Sequence, residues 1–172
     1  MSNDIKYPAS KVMLDVIIKE YEFESNRKNS IETRAGIILT LEGALLTIMP
    51  SFVSISSYTK LKITTIKDLF LPIISILIFV VTFILLCISI NFLVKSLSAQ
   101  NYKRLSTNGF NIDNASADEN EVSASIVCEY ANCLNHNMEV NKKKVEHFNS
   151  AIRYLQYALI LYATMFLINN FK

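Results

Sequence analysis

The sequence predicts an all-α membrane protein with three transmembrane helices. Residues 69–94 carry no charged side chain and consist mostly of Ile, Leu, Val and Phe. Roughly 20 apolar residues cover the ~30 Å hydrocarbon core of a bilayer, and a soluble domain of 172 residues has no interior large enough for such a helix. Residues 35–56 are apolar apart from Glu42, and residues 154–171 are uncharged. These three segments are the predicted spans.

The chain is therefore expected to have four parts. Residues 1–34 form an N-terminal cytoplasmic helix, and residues 35–95 form a transmembrane hairpin with spans at about 35–56 and 69–94. Residues 96–150 form a cytoplasmic loop and a long membrane-proximal helix, which continues into a third transmembrane helix over residues 151–172. The third span barely reaches the minimum length, so a helix lying on the membrane surface stays open as the alternative.

The distribution of basic residues predicts the orientation. With three spans, the side that holds the N-terminus and the long segment carries 13 Lys and Arg residues, and the other side carries four. The positive-inside rule places the richer side in the cytoplasm. The polar start of the chain lacks the pattern of a removable signal peptide. We therefore expect a protein of the bacterial inner membrane with a cytoplasmic N-terminus and the lipid bilayer as its first partner.

Helical periodicity extends beyond the predicted spans. Ser10 follows Pro8 and Ala9 and is a candidate N-cap. The helix that begins there either breaks near residues 27–30 or continues into the first span. No Pro or Gly occurs after residue 110, which predicts one helix from about Glu119 to Asn170. Its expected apolar stripe comprises Val122, Ile126, Tyr130, Cys133, Leu134, Met138, Val145, Phe148 and Ile152.

Glu42 is the first candidate functional residue. An ionisable group within a span is costly unless it faces a polar cavity, a partner or takes up a proton. Glu42 therefore either lines a pore or a subunit interface, or it is a protonated carboxyl bonded to a neighbouring helix or one that reaches toward water at a helix end. Both interpretations direct it toward protein and away from lipid.

Small residues surround this glutamate. At i, i+4 spacing such residues let transmembrane helices approach closely, so the first span is the predicted pore or helix-packing segment of a homo-oligomer. Packing within one chain is the alternative. The predicted pore or helix-packing residues, Glu42 included, are Gly36, Thr40, Glu42, Gly43, Ala44 and Thr47.

Basic side chains near the predicted membrane surface could contact a phosphate-bearing signal. Contact with anionic lipid headgroups is the alternative. The candidates are Arg27, Lys28, Arg34, Lys142, Lys143 and Lys144.

No motif calls for an enzyme or a bound cofactor. The chain has no phosphate-binding loop of the Gly-x-x-x-x-Gly-Lys type, no Gly-x-Gly-x-x-Gly and no His-Glu-x-x-His. Cys133 and His136 have a ligand-like spacing, but the paired cysteines typical of structural zinc are missing, so we expect no metal site. A net charge of +2 gives no reason to expect nucleic acid as a partner.

Two stretches resemble a family of known function. Residues 24–49, ESNRKNSIETRAGIILTLEGALLTIM, join a polar, Arg-bearing junction to a span rich in small residues, and residues 141–164, NKKKVEHFNSAIRYLQYALILYAT, join a basic helix to a span. This architecture resembles the small bacterial antiphage transmembrane effectors, namely the Pycsar transmembrane effectors and the SLATT-like family. The resemblance implies a pore-forming effector that oligomerises and disrupts the inner membrane on a cytoplasmic signal, often a cyclic nucleotide made by a partner cyclase. Such a ligand would be held by the cytoplasmic helices or by a soluble defence partner, because no separate nucleotide-binding domain is recognisable.

Two other functions stay open. The protein could be a non-enzymatic anchor or scaffold that recruits a soluble partner, in which case the spans only hold it at the membrane. It could also be a small transporter in which Glu42 carries a proton.

Overall fold

The computed structural model describes residues 7–52, 66–98, 101–109, 112 and 116–170. Within this part of the chain it contains three α-helices and no strand, which confirms the all-α prediction. Helix α1 is Ser10–Ile48, α2 is Ile66–Leu97 and α3 is Glu119–Asn170. Short 3-10 turns occupy Met49–Phe52 and Thr107–Gly109.

Two helices in the described residues are long and apolar enough to cross a membrane, over Pro72–Leu97 and Glu119–Ile168. They belong to α2 and α3 and correspond to the second and third predicted spans. The first predicted span, residues 35–56, begins in α1, which ends at Ile48. Residues 53–56 lie outside the described residues.

The starts of α1 and α3 differ in how they are capped. Asp118 caps α3, since its Oδ1 accepts hydrogen bonds from the backbone N–H groups of Asn120 at 2.9 Å and Glu121 at 3.3 Å. The predicted capping role of Ser10 is wrong: its hydroxyl is buried without a partner. The first helical bond instead runs from Met13 N to the carbonyl of Ala9 at 3.0 Å. Helix α1 then continues past residues 27–30 without a break, so the single-helix alternative is correct.

A seven-residue repeat runs along all three helices. Positions spaced alternately four and three residues apart are buried or partly buried, which is the pattern of helices that wrap around one another with a left-handed supercoil. In α2 these positions are Ser75, Phe79, Thr82, Leu86, Ser89, Leu93 and Ser96. In α3 they are Ser123, Val127, Tyr130, Leu134, Asn137, Asn141, Lys144, Phe148, Ala151, Leu155, Ala158, Tyr162 and Met165.

The chain forms two compact units. We call residues 1–31 and 99–144 the polar unit, and residues 32–98 and 145–172 the apolar unit. Helices α1 and α3 each contribute to both, because the divisions fall inside them.

The polar unit pairs the first half of α1 with the first half of α3. The rings of Tyr21 and Tyr130 meet edge to face, with centroids 5.4 Å apart. Lys11 and Glu119 form an exposed ion pair at 2.8 Å. The connector at residues 101–106 has no regular secondary structure and is hydrogen-bonded to both helices.

The apolar unit combines all three helices around two small clusters. One contains Met49, Leu86, Leu155 and Ala158, and the other contains Ala35, Leu93 and Ala151. Phe92 of α2 stacks on Tyr154 of α3, with ring centroids 5.6 Å apart. The alanines leave room for the large side chains of the facing helices, so the three helices interlock closely.

Candidate functional site

Glu42 lies at a point where α1, α2 and α3 meet inside the apolar unit. Its side chain is 0% exposed. Its Oε1 lies 2.5 Å from the hydroxyl oxygen of Ser89 on α2, and that hydroxyl lies 2.9 Å from the carbonyl oxygen of Ala151 on α3. The second carboxyl oxygen, Glu42 Oε2, is buried without a hydrogen-bond partner. The prediction that Glu42 faces protein is confirmed.

Ser89 belongs to a row of small hydroxyl residues along the inner face of α2. Ser75, Thr82, Ser89 and Ser96 are spaced seven residues apart, and each is at most 1% exposed. Thr82 donates to the carbonyl of Ile78 in its own helix at 2.8 Å, whereas Ser89 reaches both other helices. Sequence analysis missed this row, although the interval of seven residues is visible in the sequence.

The predicted small-residue face lies on another side of α1. Thr40, Gly43, Ala44 and Thr47 are exposed and Gly36 is partly exposed. A Cβ atom added at Gly36 or Gly43 would meet no atom within 4 Å. At 100° per residue, Glu42 points roughly 145° away from the centre of this face around the helix axis. Glu42 and the small residues, grouped together in the sequence analysis, therefore lie on different sides of α1.

The hydroxyls of this face are satisfied locally. Thr40 Oγ1 donates to the carbonyl of Gly36 at 3.0 Å, and Thr47 Oγ1 donates to that of Ala44 at 2.7 Å. The two threonine hydroxyls of this face therefore already have hydrogen-bond partners within α1.

The structure separates the predicted signal-contacting residues by environment. Lys142 and Lys143 are exposed, and so is Arg34. Arg27 donates to Glu24 at 3.3 Å, and the ammonium of Lys28 lies 4.9 Å from the ring centroid of Tyr102. Lys144 is only 1% exposed. Of the three consecutive lysines at positions 142–144, Lys142 and Lys143 therefore present their side chains to solvent, and Lys144 does not.

A buried polar contact links α1 and α3 in the polar unit. Asn141 Nδ2 donates to Glu24 Oε1 at 2.8 Å and to the Glu24 backbone carbonyl at 3.0 Å. Both residues are almost fully buried, and Asn141 Oδ1 has no partner. Because buried charges need partners, Asn141 and Arg27 together hold the Glu24 carboxylate.

Side chains also hold the connector in place. Asn137 pairs with the backbone of Lys103, and Tyr21 donates its hydroxyl to the same Lys103 carbonyl at 3.1 Å. Ser106 N donates to Glu129 Oε1 at 3.0 Å, and His136 Nε2 contacts the carbonyl of Asn101 at 2.7 Å. Burial raises the pKa of Tyr21, so its hydroxyl remains a donor.

Within the described residues no group of three or more His, Cys, Asp or Glu side chains could hold a metal ion. Cys133 is buried, and His136 is engaged with the connector. Comparisons with family models, with curated proteins and with solved structures found no match to this chain.

Proposed function

We propose that this protein is a membrane effector of bacterial antiphage defence. The apolar unit would lie in the inner membrane and self-associate through the exposed face of α1. A signal acting on the polar unit, of the cyclic-nucleotide class, would change the packing of the helices and permeabilise the membrane. The observation that carries the membrane part of this proposal is the inverted polarity of α2.

Helix α2 buries Ser75, Thr82, Ser89 and Ser96 and leaves most of its large apolar residues exposed or partly exposed, Leu86 and Leu93 being the buried exceptions. A helix on the surface of a water-soluble protein does the reverse, and a continuous apolar surface in water promotes aggregation. In lipid the same arrangement is favourable, because the tails solvate apolar side chains and small polar residues mediate helix packing. The exposed apolar residues of α2 are Phe70, Ile73, Ile76, Leu77, Val80, Val81, Phe83, Ile84 and Val94.

Helix α3 supports the same location over its second half. Tyr157, Leu159, Ile160, Phe166 and Leu167 are exposed, and Ala158 and Met165 are buried. The polar unit carries the exposed Lys142 and Lys143, and the positive-inside rule supports a cytoplasmic position for this unit and for the N-terminus.

The exposed small-residue face of α1 supports self-association. Three helices whose facing side chains fill the space between them leave no channel, so a pore needs several copies. Gly36 and Gly43 leave room for the backbone of another helix to approach. The face remains accessible while Glu42 is engaged inside the chain.

Signal transfer would use the two helices that contribute to both units. A ligand shifts a conformational equilibrium only if it binds the two states with different affinity. Lys142 and Lys143 supply exposed positive charge for a phosphate group, and the same helix α3 contributes Ala151 to the contact with Ser89.

The test compares two bulky substitutions. Gly43→Leu fills the exposed face of α1, and Ala163→Leu adds the same side chain at an exposed position of α3. Each protein is expressed in bacteria, the membrane potential is followed with a dye, and the detergent-solubilised assembly is weighed. We expect the wild type and Ala163→Leu to depolarise the cells as oligomers.

Gly43→Leu should reach the membrane but form smaller assemblies and cause no depolarisation. Equal leakage from both variants would contradict the role of this face. Harmless wild-type expression, even with candidate cyclic nucleotides supplied, would favour the anchor or scaffold function.

A further inference from the structure

We propose that Glu42 is a proton-binding site inside the apolar unit. Its carboxyl holds a proton in the folded protein and donates it to Ser89, and Ser89 donates its own proton to the carbonyl of Ala151. One bound proton thereby completes a hydrogen-bonded chain across α1, α2 and α3.

The number of protons in the contact requires this arrangement. The Ser89 hydroxyl oxygen lies 2.5 Å from Glu42 Oε1 and 2.9 Å from the Ala151 carbonyl oxygen. A hydroxyl has one proton to donate, whereas an ionised carboxylate and a backbone carbonyl only accept. If Glu42 were ionised, Ser89 could satisfy one of the two acceptors and the other would face an oxygen lone pair. A protonated Glu42 supplies the missing proton, so both contacts become hydrogen bonds.

The surroundings of Glu42 favour the neutral form. The side chain is 0% exposed, and Glu42 Oε2 has no hydrogen-bond partner. An ionised carboxylate would place negative charge on this unpartnered buried oxygen, which is costly without a compensating charge.

The charged groups on the three helices do not compensate it. Arg34 on α1, Lys95 on α2 and Arg153 on α3 are exposed. The ammonium of Lys95 lies 5.5 Å from the ring centroid of Phe92, and the imidazole of His147 packs against the same ring at 6.1 Å. No ion pair with Glu42 occurs among the described residues.

The geometry selects a proton and not a metal ion. A hard cation takes about six oxygen ligands, whereas three oxygens meet here, and the Ser89 hydroxyl lies within hydrogen-bonding distance of the other two. Ser89 occupies the position that an ion would need. A proton requires no such space.

Infrared spectroscopy of the purified protein in detergent at pH 7 tests the proposal. The acid form of a carboxyl has a carbonyl stretch that the ionised form lacks, and it shifts when the proton is exchanged for deuterium. We expect this band in the wild type and its absence in Glu42→Gln. Exposed carboxyls are ionised at this pH and do not contribute.

Ser89→Ala should shift the band, because the carboxyl loses its acceptor. Ser75→Ala is the matched control: it makes the same change on the same face of α2, at a hydroxyl with no partner, and should leave the band in place. A wild-type spectrum without the Glu42-dependent acid band would overturn the proposal.

Thermal unfolding gives a second measurement. Glu42→Gln keeps an N–H donor of similar length, so its midpoint should remain near that of the wild type, while Glu42→Ala and Ser89→Ala should unfold at lower temperature. A Glu42→Gln variant as unstable as Glu42→Ala would contradict the proposal. The acid band and the depolarisation assay are independent readouts, so either proposal can fail while the other stands.

Discussion

Asn137 of α3 and Lys103 of the connector exchange two hydrogen bonds. The backbone N–H of Lys103 donates to Asn137 Oδ1 at 2.9 Å, and Asn137 Nδ2 donates to the carbonyl of Lys103 at 3.0 Å. A side-chain amide thus satisfies both the backbone donor and the backbone acceptor of one residue in the connector. Because Asn137 is fully buried, water cannot replace these bonds, and the connector is fixed at this point.

Removal of this amide should loosen the connector. Each internal hydrogen bond contributes about 0.5–1.5 kcal/mol net, so we expect Asn137→Ala to lower the free energy of unfolding by about 1–3 kcal/mol. Hydrogen exchange at the Lys103 amide should accelerate. Asn135→Ala changes the same residue type at an exposed position of the same helix and should have little effect. Unchanged exchange at Lys103 in Asn137→Ala would contradict the assigned contact.

Tyr21 should make stability depend on alkaline pH. Burial raises the pKa of Tyr21 above its usual value of 10.0, so the folded protein prefers the protonated phenol. This stabilisation is complete below the unfolded-state pKa and is lost as the pH rises through the folded-state pKa. Denaturant unfolding should therefore show a loss of stability above about pH 10 that is smaller in Tyr21→Phe. Tyr157→Phe, at an exposed ring, serves as the control and should match the wild type.

The buried pair of Glu24 and Asn141 should not accept a second carboxylate. Asn141→Asp replaces the donor 2.8 Å from Glu24 Oε1 with another acceptor, and two nearby carboxylates repel each other. At pH 7 this variant should lose about 3–5 kcal/mol of folding free energy, more than Asn141→Ala. The difference between the two should shrink near about pH 4, where a carboxyl becomes protonated. Asn132→Asp, at an exposed position, should be nearly neutral, and an equally mild Asn141→Asp would contradict the contact.

The exposed face of α2 should tolerate no charge if it contacts lipid. Arginine at the centre of a span costs about 2.5–3.5 kcal/mol on insertion scales, so Val80→Arg should reduce the fraction that resists alkaline extraction from membranes. Met138→Arg, on an exposed position of the polar unit, should remain in the membrane fraction. A Val80→Arg protein that purified as a folded, soluble species without detergent would show that this face meets water.

The three cysteines should report the orientation of the chain. Cys128 is exposed in the polar unit, Cys133 is buried, and Cys87 is exposed on α2. If the apolar unit lies in the membrane, a charged maleimide should label Cys128 in inside-out vesicles, label the buried Cys133 slowly and spare Cys87, because a charged reagent does not enter the hydrocarbon core. Cys128→Ser is the control that identifies the labelled site. Labelling of Cys128 from the periplasmic side would reverse the proposed orientation.

The sequence allowed the helices to be predicted better than their contacts. The extent of α3 could be predicted because no Pro or Gly interrupts it, and Asp118 supplies a local cap. For α1, the sequence left a break and a continuous helix as alternatives. The choice between them was made by packing, since Lys28 and Ile31 continue the inward repeat across the expected break.

Apolar periodicity misplaced part of the inner face of α3. Met138 was expected inside but is 46% exposed, while Asn137 and Asn141 are fully buried. A pattern of apolar residues cannot identify polar ones whose hydrogen-bond partners, Lys103 and Glu24, are distant in the sequence. Seven-residue intervals counted back from Phe148 reach Asn141, and those counted back from Ala151 reach Asn137, so the repeat is the signal that could have found both asparagines.

The surroundings of Glu42 were also only half predictable. A carboxyl group facing lipid is energetically costly, so the sequence predicted that Glu42 faces protein. The structure confirms this, because Glu42 is buried and contacts Ser89. Ser89 is 47 residues away in the chain, and any of the four hydroxyls on the same face of α2 would have been an equally good candidate from the sequence.

The even spacing of those four hydroxyls has a consequence for alignment. A slide of α2 by seven residues, about 10.5 Å along its axis, would set serine or threonine where serine or threonine had been, and leucine or phenylalanine where leucine had been. The shapes of the side chains alone therefore allow several nearly equivalent alignments of α2 with the other two helices. The contact between Glu42 and Ser89 distinguishes the observed alignment from the others, because it pairs the one buried carboxyl of α1's apolar part with one particular hydroxyl.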